Sequence, residues 1–191
     1  MIKYKEKQYI SREVLYDEGF SPYLIRKLVD SGELIPVNRR FFENPDYEGT
    51  QSDFSSVSIY AEKGVVCLIS AAVYHGLSYE RPHRVDVALP RGARIPEGPE
   101  WPVMQFYLFS GDRYSTGIEE VTEEDGRFFI YDKEKTVCDA LFYRNKLGFE
   151  PTAEILKNYM NRNDRDINKL MKYAEKLRSG NLLRSYLEVM V

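Results

Sequence analysis

The stretch that most constrains the fold is residues 11–42, where helix-capping, turn and hairpin signals follow one another in a fixed order. Ser21 stands where an N-cap belongs, and Pro22 occupies the first helical position, where its missing N–H costs no hydrogen bond. Gly32 ends the helix, since glycine readily adopts the left-handed conformation after a last turn. The apolar side chains between these signals share one face of a 3.6-residue period and are Leu24, Ile25, Leu28 and Val29. An amphipathic helix is therefore predicted after Ser21.

A shorter helix precedes this one, and a hairpin follows it. Ser11 caps the shorter helix, and Gly19 permits the sharp turn between the two helices. After the second helix, apolar residues 34–37 and 41–42 flank an Asn-Arg-Arg turn, which predicts a hairpin with two arginines at its tip. Helix, turn, helix and basic hairpin in this order predict a winged helix-turn-helix.

The polar face of the second helix is the candidate surface for DNA. In a winged helix this helix enters the major groove, and arginines at the tip of the wing suit phosphate or minor-groove contacts. The residues predicted to contact double-stranded DNA are Ser21, Tyr23, Arg26, Lys27, Arg39 and Arg40. Because the same fold also mediates protein contacts, a module that docks a partner protein remains the alternative.

Composition sets the class of protein. The chain has 191 residues, 43% of them hydrophobic and 30% charged, which predicts a soluble protein of one or two domains. Apolar runs fall short of the ~20 residues that span a bilayer. The first ten residues lack the apolar core of a signal peptide, so we expect a cytoplasmic protein without a membrane partner. Cys67 and Cys138 stand alone in apolar stretches and are expected to be reduced core thiols, with no metal site.

Charge is distributed unevenly along the chain. Residues 1–45 contain eight Lys and Arg against seven Asp and Glu, residues 46–131 seven against fourteen, and residues 132–191 twelve against nine. A nucleic-acid surface should therefore use the two ends, with the acidic middle elsewhere. The basic helices near the C-terminus could instead bind the acidic middle of a second copy, which would make the protein a homo-oligomer.

The predicted fold class is α+β: an N-terminal winged helix-turn-helix (1–48), then a mixed domain (49–191) that ends in a helical bundle. Its strands lie mainly in 65–131 and its helices mainly in 133–190. Strands are predicted at 65–69, 85–89, 103–109, 118–122 and 127–131, and helices at 53–62, 133–146, 151–162, 167–177 and 182–190. Asp125-Gly126 is expected to turn a hairpin, and Ser70 to cap a short helix.

The beginning of the chain is short for this fold. Residues 1–10 alternate lysines with other side chains, which favours a strand over a helix. Winged helices normally begin with a further helix, and ten residues leave little room for it. We expect either a minimal motif with an N-terminal strand or a core completed by the second domain.

Three segments together resemble the AbiEi family of antitoxins. Residues 65–92 contain an apolar strand, Ser-Ala, His-Gly-Leu, a proline, a second strand and Pro-Arg-Gly. The residues in this segment that match are Ser70, Ala71, His75, Gly76, Leu77, Pro82, Val85, Pro90, Arg91 and Gly92. Further matches are Glu134, Lys135, Thr136, Asp139, Arg144, Tyr173, Ala174, Leu177, Tyr186 and Leu187. The resemblance covers nearly the whole chain.

This resemblance implies a transcriptional regulator with a winged N-terminal domain and a larger C-terminal domain. Such proteins repress their own operon by binding its promoter, and they oppose a partner toxin that looks like a nucleotidyltransferase. They belong to type IV toxin-antitoxin systems of abortive infection and phage defence, in which antitoxin and toxin need not touch. The sequence departs from the family at its start, where a first helix is missing or shortened.

The sequence lacks residues that two classes of enzyme require. A nucleotidyltransferase needs two carboxylates one residue apart on a strand to hold Mg²⁺, and here Asp86 is followed by Ala88 at the partner position. A restriction-type nuclease needs Glu-x-Lys on a strand, whereas Glu134 opens a helix pattern. His75 is expected to be hydrogen-bonded at a helix end. No catalytic residue, cofactor or metal is therefore predicted, and the protein is expected not to be an enzyme.

Overall fold

The computed structural model describes residues 6–49, 52–80, 83–123 and 126–190, apart from the side chains of residues 189 and 190. Over these ranges the chain has a mixed α+β fold with eight strands and ten helices. The strands are β1 (Tyr9–Ser11), β2 (Ile35–Pro36), β3 (Phe41–Glu43), β4 (Val65–Val66), β5 (Val85–Pro90), β6 (Met104–Phe109), β7 (Ile118–Glu123) and β8 (Gly126–Tyr131).

The helices separate into a short N-terminal pair, three short helices around the large sheet and a C-terminal group. They are α1 (Arg12–Asp17), α2 (Pro22–Asp30), α3 (Ser55–Tyr60), α4 (Leu68–Tyr74), α5 (Asp112–Ser115), α6 (Lys133–Phe142), α7 (Arg144–Leu147), α8 (Phe149–Met160), α9 (Ile167–Lys176) and α10 (Gly180–Met190). The order of the elements agrees with the prediction of strands first and helices last, since α6 to α10 follow β8 without a further strand in the described residues.

The N-terminal unit consists of β1, α1, α2, β2 and β3. Its antiparallel sheet has the order β1-β3-β2, with Ile10 opposite Phe42. The predicted caps are confirmed, because the Oγ atoms of Ser11 and Ser21 accept hydrogen bonds from the backbone N–H groups of Val14 (3.2 Å) and Leu24 (3.3 Å). The core is small and comprises Ile10, Leu15, Ile25, Leu34 and Phe42.

Two expectations about this unit need correction. Leu24 was placed on the apolar face of α2, but its side chain is exposed, because this face is narrow and centred on buried Ile25. The strand predicted for residues 1–10 falls partly on residues 1–5, outside the described residues. Within the described part of the chain, the first strand is β1 and it begins at Tyr9.

The second unit is built on a sheet with the order β6-β5-β4-β8-β7 among the described strands. Central β4 pairs antiparallel with β5 and parallel with β8, whereas β5 and β6 run parallel and β7 and β8 antiparallel. The predicted turn residue Asp125, between β7 and β8, lies outside the described residues. Helix α3 covers one face of the sheet beside buried Phe128 and Ile130.

The predicted strand 65–69 is too long, and Ser70 does not cap a helix. Strand β4 contains only two residues, and α4 begins at Leu68, with Cys67 at its N-cap. Ser70 lies inside α4, where its Oγ accepts a hydrogen bond from the N–H of Asp86 at 2.8 Å. The serine thus joins helix α4 to strand β5 instead of starting the helix.

The C-terminal helices pack around α6. Helices α8, α9 and α10 all contact α6, and the buried side chains between them include Leu141, Leu156, Tyr159 and Leu170. The single helix predicted for 133–146 is divided into α6 and α7 at Tyr143, whose ring stacks on Phe109 at 5.4 Å. Here a tertiary contact prevails over local helix propensity.

Candidate nucleic-acid interface

Helix α2 presents the polar surface that the sequence predicts. Tyr23 is 76% exposed, and the side chain of Arg26 is 83% exposed. Arg26 lies 3.9 Å from Asp30 one turn later, a long contact that leaves the guanidinium accessible. Lys27 is exposed and lies in the last turn of the helix. This surface can therefore offer an aromatic ring and two cations to a ligand.

The position of α2 is fixed by its buried face and by the turn that precedes it. Ile25 is buried against the small core, and the turn between α1 and α2 depends on Gly19, whose φ of 89° lies in the left-handed region that favours glycine. The backbone N–H of Phe20 donates to the carbonyl of Leu15 at 2.9 Å and closes this turn. The exposed face of α2 is thus carried by a rigid pair of capped helices.

The β2–β3 hairpin contacts the second unit through its turn. Asn38 Oδ1 accepts hydrogen bonds from the N–H groups of Arg40 (2.8 Å) and Phe41 (3.0 Å), which shapes the turn. Asn38 Nδ2 donates to the carbonyl of Ile59 in α3 at 2.8 Å. One asparagine side chain therefore both forms the hairpin turn and attaches it to the larger unit.

The two predicted wing-tip arginines have different environments. Arg40 is paired with Glu62, just after α3, at 2.9 Å, with side-chain exposures of 61% and 78%. Arg39 has an exposed side chain, and its carbonyl accepts a hydrogen bond from Nε of Arg12 at 3.1 Å. Arg12, which sequence reasoning missed, also lies over the ring of Phe42 at 5.0 Å. Arg39 is therefore free for an anion in the described structure, whereas Arg40 has an acidic neighbour.

A cleft of about 290 Å³ separates the N-terminal sheet from α3 and β8. It is open to solvent, and its walls combine aromatic rings with cationic side chains. The lining residues that matter here are Lys7, Tyr9, Arg40, Phe41, Ser58, Glu62 and Arg127. The Arg40–Glu62 pair therefore stands at the border between the two units.

A buried charged cluster joins the sheet to the C-terminal helices. Asp139 of α6 accepts hydrogen bonds from Arg113 at 2.6 Å and from Lys135 one turn earlier. Burial raises the pKa of Asp139 and lowers that of Lys135, and their mutual attraction opposes both shifts. Arg113 also donates to the carbonyl of Leu177 at 2.6 Å and stacks on Phe142 at 3.6 Å. The cluster is a structural crosslink, since Lys135 and Asp139 are fully buried.

A second polar network lies at the start of α6. Lys169 of α9 is 3.1 Å from carboxylate oxygens of both Asp132 and Glu134. The hydroxyl of Tyr159 donates to Glu134 at 2.9 Å, and that of Tyr173 donates to Asp132 at 3.2 Å. Glu134 therefore has a packing role between α6, α8 and α9.

The carboxylate considered for metal chemistry lies inside the sheet. Asp86 is buried in β5, 3.3 Å from Nε of Arg84, and it accepts a hydrogen bond from the hydroxyl of Tyr107 at 3.3 Å. Burial raises the pKa of Asp86. Ala88, in the same strand, is also buried. Among the described residues, no three His, Cys, Asp or Glu side chains are grouped as metal ligands.

His75 lies at the C-terminal end of α4, as expected for a hydrogen-bonded histidine. Its Nε2 is 2.7 Å from the carbonyl of Tyr131, so this nitrogen carries the proton that is donated. Burial lowers the pKa of His75. Cys67 and Cys138 are both buried and free, as the sequence predicts. Pro82, one of the residues in the family resemblance, lies outside the described residues.

Sequence reasoning found the cations of α2 but not the structural roles of Arg12, Arg113 or Lys169. Arg113 lies 26 residues before its carboxylate partner Asp139, and Lys169 lies 35 and 37 residues after its partners Glu134 and Asp132. Such a separation carries no periodic signal. The resemblance had marked Glu134, Lys135 and Asp139, which the fold places in the two buried networks.

In the described part of the chain, no helix is both long and apolar enough to cross a membrane. Comparison with protein-family models and with curated proteins finds no match to this chain.

Proposed function

We propose that this protein is a non-enzymatic, DNA-binding transcriptional regulator whose N-terminal unit is a winged helix-turn-helix. In this proposal α2 enters the major groove of double-stranded DNA and the β2–β3 hairpin is the wing. The observation that carries the proposal is the exposed face of α2, where Tyr23, Arg26 and Lys27 are held outward by a buried Ile25.

The order of the elements supports this proposal. The N-terminal unit has a strand, two helices and a two-stranded hairpin, which are the parts of a winged helix other than its usual first helix, and the sheet order β1-β3-β2 brings the hairpin beside the first strand. The capped start of α2 also supports it, because Ser21 fixes where the helix begins and so where Tyr23 points. Arg39 would add a phosphate or minor-groove contact from the wing.

The resemblance to AbiEi antitoxins extends the proposal to a biological role. The protein would act in the cytoplasm as the antitoxin of a type IV system, repress its own operon and oppose a nucleotidyltransferase-like toxin without the need for direct contact. The resembling segments 65–92 and 132–148 supply the centre of the sheet and helix α6, which hold the larger unit together. Whether a neighbouring reading frame encodes such a toxin is the direct genetic test.

The biochemical test is titration of DNA upstream of the gene with the full chain. Replacing Arg26 with Ala should weaken binding to the preferred site by ~1–3 kcal/mol and relax base preference there, if the guanidinium contacts a base edge. Arg94→Ala, at an exposed arginine in the acidic middle, is the matched control and should leave affinity unchanged. Unaltered binding by Arg26→Ala would remove Arg26 from the interface.

A protein-interaction module is the second candidate, and one observation favours it. The hairpin turn is attached to α3 of the same chain through Asn38 and Arg40, so part of the predicted DNA surface is already occupied and less of it is available to DNA. The two candidates differ in their salt dependence. Phosphate contacts make affinity fall steeply with salt, whereas docking of a protein through an apolar surface responds weakly.

A further inference from the structure

The outer edge of β6 is an open row of backbone hydrogen-bonding groups. Strand β6 pairs with β5 on one side and is the last strand on that side of the sheet among the described residues. The carbonyls of Val103 and Phe109 accept hydrogen bonds from Val85 (2.8 Å) and Arg91 (2.7 Å), at the two ends of β5. Because N–H and C=O of one strand residue point the same way, odd-numbered residues face β5 and even-numbered residues face outward.

The outward row therefore belongs to Met104, Phe106 and Leu108. Within the described ranges, the one hydrogen bond to this row comes from the side chain of Gln105, whose Nε2 donates to the carbonyl of Phe106 at 3.3 Å. Apolar side chains at this strand are also exposed to solvent: Val103 is 49% exposed and Leu108 is 46% exposed. An unpaired strand edge with apolar side chains is a template for a further strand.

The opposite edge of the same sheet is built differently. Strand β7 contains Glu119, Glu120 and Glu123, so two copies of this edge would bring six carboxylates together. Like charges on facing strands are destabilising, and charged residues commonly prevent an edge strand from pairing with another chain. Strand β6, with the sequence MQFYLF, has no charged residue. The contrast indicates that β7 is protected against pairing and β6 is not.

We propose that β6 pairs antiparallel with β6 of a second copy of this chain, so that the two sheets join across a two-fold axis. The outward row fixes the register. Phe106 lies opposite Phe106 of the second copy, and Met104 lies opposite its Leu108, with each pair exchanging N–H and C=O hydrogen bonds. Every facing pair is neutral, and Gln105 meets only Tyr107. A two-fold pair occupies the β6 edge of both copies, so this contact closes on itself and cannot extend into a fibre.

A second copy fits this edge better than an unrelated strand. The three residues of the outward row offer three N–H donors and three C=O acceptors. The antiparallel row of a second copy can pair with all six groups. The contact is small compared with a standard interface of ~1,600 Å², so we expect a dissociation constant on the order of micromolar. The inference is independent of DNA binding, because the N-terminal unit contributes no residue to the contact.

The test is sedimentation velocity on the full chain from about 1 to about 200 μM, a range that brackets weak association. The mass should rise from the 22.4 kDa of one chain toward twice that value. Leu108→Pro should stay monomeric, because proline removes an outward N–H without touching the ladder to β5. Leu108→Ala keeps this N–H and should still associate. Thr122→Pro, at an exposed position on the acidic edge, should behave like the unmodified chain.

Two further variants test the register and guard against misfolding. Phe106→Cys should form a covalent dimer under mild oxidation, because only residue 106 meets its own copy, whereas Leu108→Cys should crosslink far more slowly. The native Cys67 and Cys138 are buried and do not compete. Leu108→Lys should also be monomeric with an unchanged circular dichroism spectrum, even if the proline variant misfolds. A chain that stays monomeric at the highest concentration, or equal crosslinking by both cysteine variants, would overturn the proposal.

Discussion

At the scale of the residue, Asp139 has the largest structural consequence. Its carboxylate is fully buried and holds two cations, Arg113 and Lys135, which come from different parts of the chain. Removing one member of such a cluster leaves buried charges without a counterion, which costs more than the cluster itself contributes.

We therefore expect Asp139→Ala to lower the free energy of unfolding by ~3–5 kcal/mol. Urea denaturation followed by circular dichroism measures this loss. Glu175→Ala, at an exposed acid in α9, is the matched control and should change stability by less than ~0.5 kcal/mol. A loss of similar size in both variants would show that the buried cluster contributes no more than a surface pair.

A second prediction at this scale concerns His75 and pH. Burial lowers the pKa of His75 in the folded protein, so the unfolded chain binds the proton more readily. Stability from this group is fully present above the unfolded pKa of about 6.5 and is lost as pH falls through that value toward the lower folded pKa. His75→Gln should make the free energy of unfolding depend less on pH between about pH 5 and 7, as measured by urea denaturation at each pH. His83→Gln, at an exposed histidine, is the control, and an unflattened profile for His75→Gln would contradict the assignment.

At the scale of the element, the hairpin and α3 are coupled by one ion pair and one hydrogen bond. Glu62 lies where a DNA phosphate would have to approach Arg40, so carboxylate and phosphate compete for the same guanidinium. An exposed pair of this kind contributes ~0–1 kcal/mol.

Glu62→Gln should therefore tighten binding to upstream DNA by up to about fivefold at low salt, which is the equivalent of that free energy. Fluorescence anisotropy with labelled duplex DNA provides the measurement. In an Arg40→Ala background the same Glu62 change should have no effect, because the guanidinium is gone. A gain that persists without Arg40 would point to general electrostatic attraction instead of a local exchange.

Elements differ in how far the sequence predicts them. The caps at Ser11 and Ser21 were predictable because they depend on neighbours within three residues. Ser70 was misread because its partner, the N–H of Asp86, is sixteen residues away. In the same way, the α2 surface was predictable from its period, whereas the hydrogen bond from Asn38 to Ile59, which attaches the β2–β3 hairpin to α3, depends on tertiary structure.

At the scale of the whole molecule, the small core of the N-terminal unit predicts that this unit depends on the larger one for its stability. Its core has few buried side chains, and a unit of about 40–50 residues buries too little apolar surface to be secure alone. A contact with α3 adds to this core, since Tyr60 packs edge-on against Tyr9 at a centroid distance of 5.9 Å.

We expect a fragment of residues 1–48 to fold poorly and to bind DNA more weakly than the full chain. Circular dichroism on thermal unfolding, and DNA titration of both proteins at two salt concentrations, measure the difference. In the full chain, Arg39→Ala should make DNA affinity depend less steeply on salt concentration, by the amount expected for the loss of about one phosphate contact. A fragment that unfolds cooperatively and binds as tightly as the full chain would show that the unit is autonomous.

The place of β4 in the sheet has a consequence for synthesis on the ribosome. Among the described strands, the two-residue strand β4 (Val65 and Val66) joins the two halves of the sheet, and the β8 residues that pair with it, Phe129 and Ile130, come 64 residues later in the chain. Until β8 has emerged, β4 has no parallel neighbour, and α3 lacks the strand on which it packs. A nascent chain that stops short of Tyr131 therefore leaves the apolar faces of its early elements without their partners, and we expect this stage of synthesis to be the most prone to aggregation.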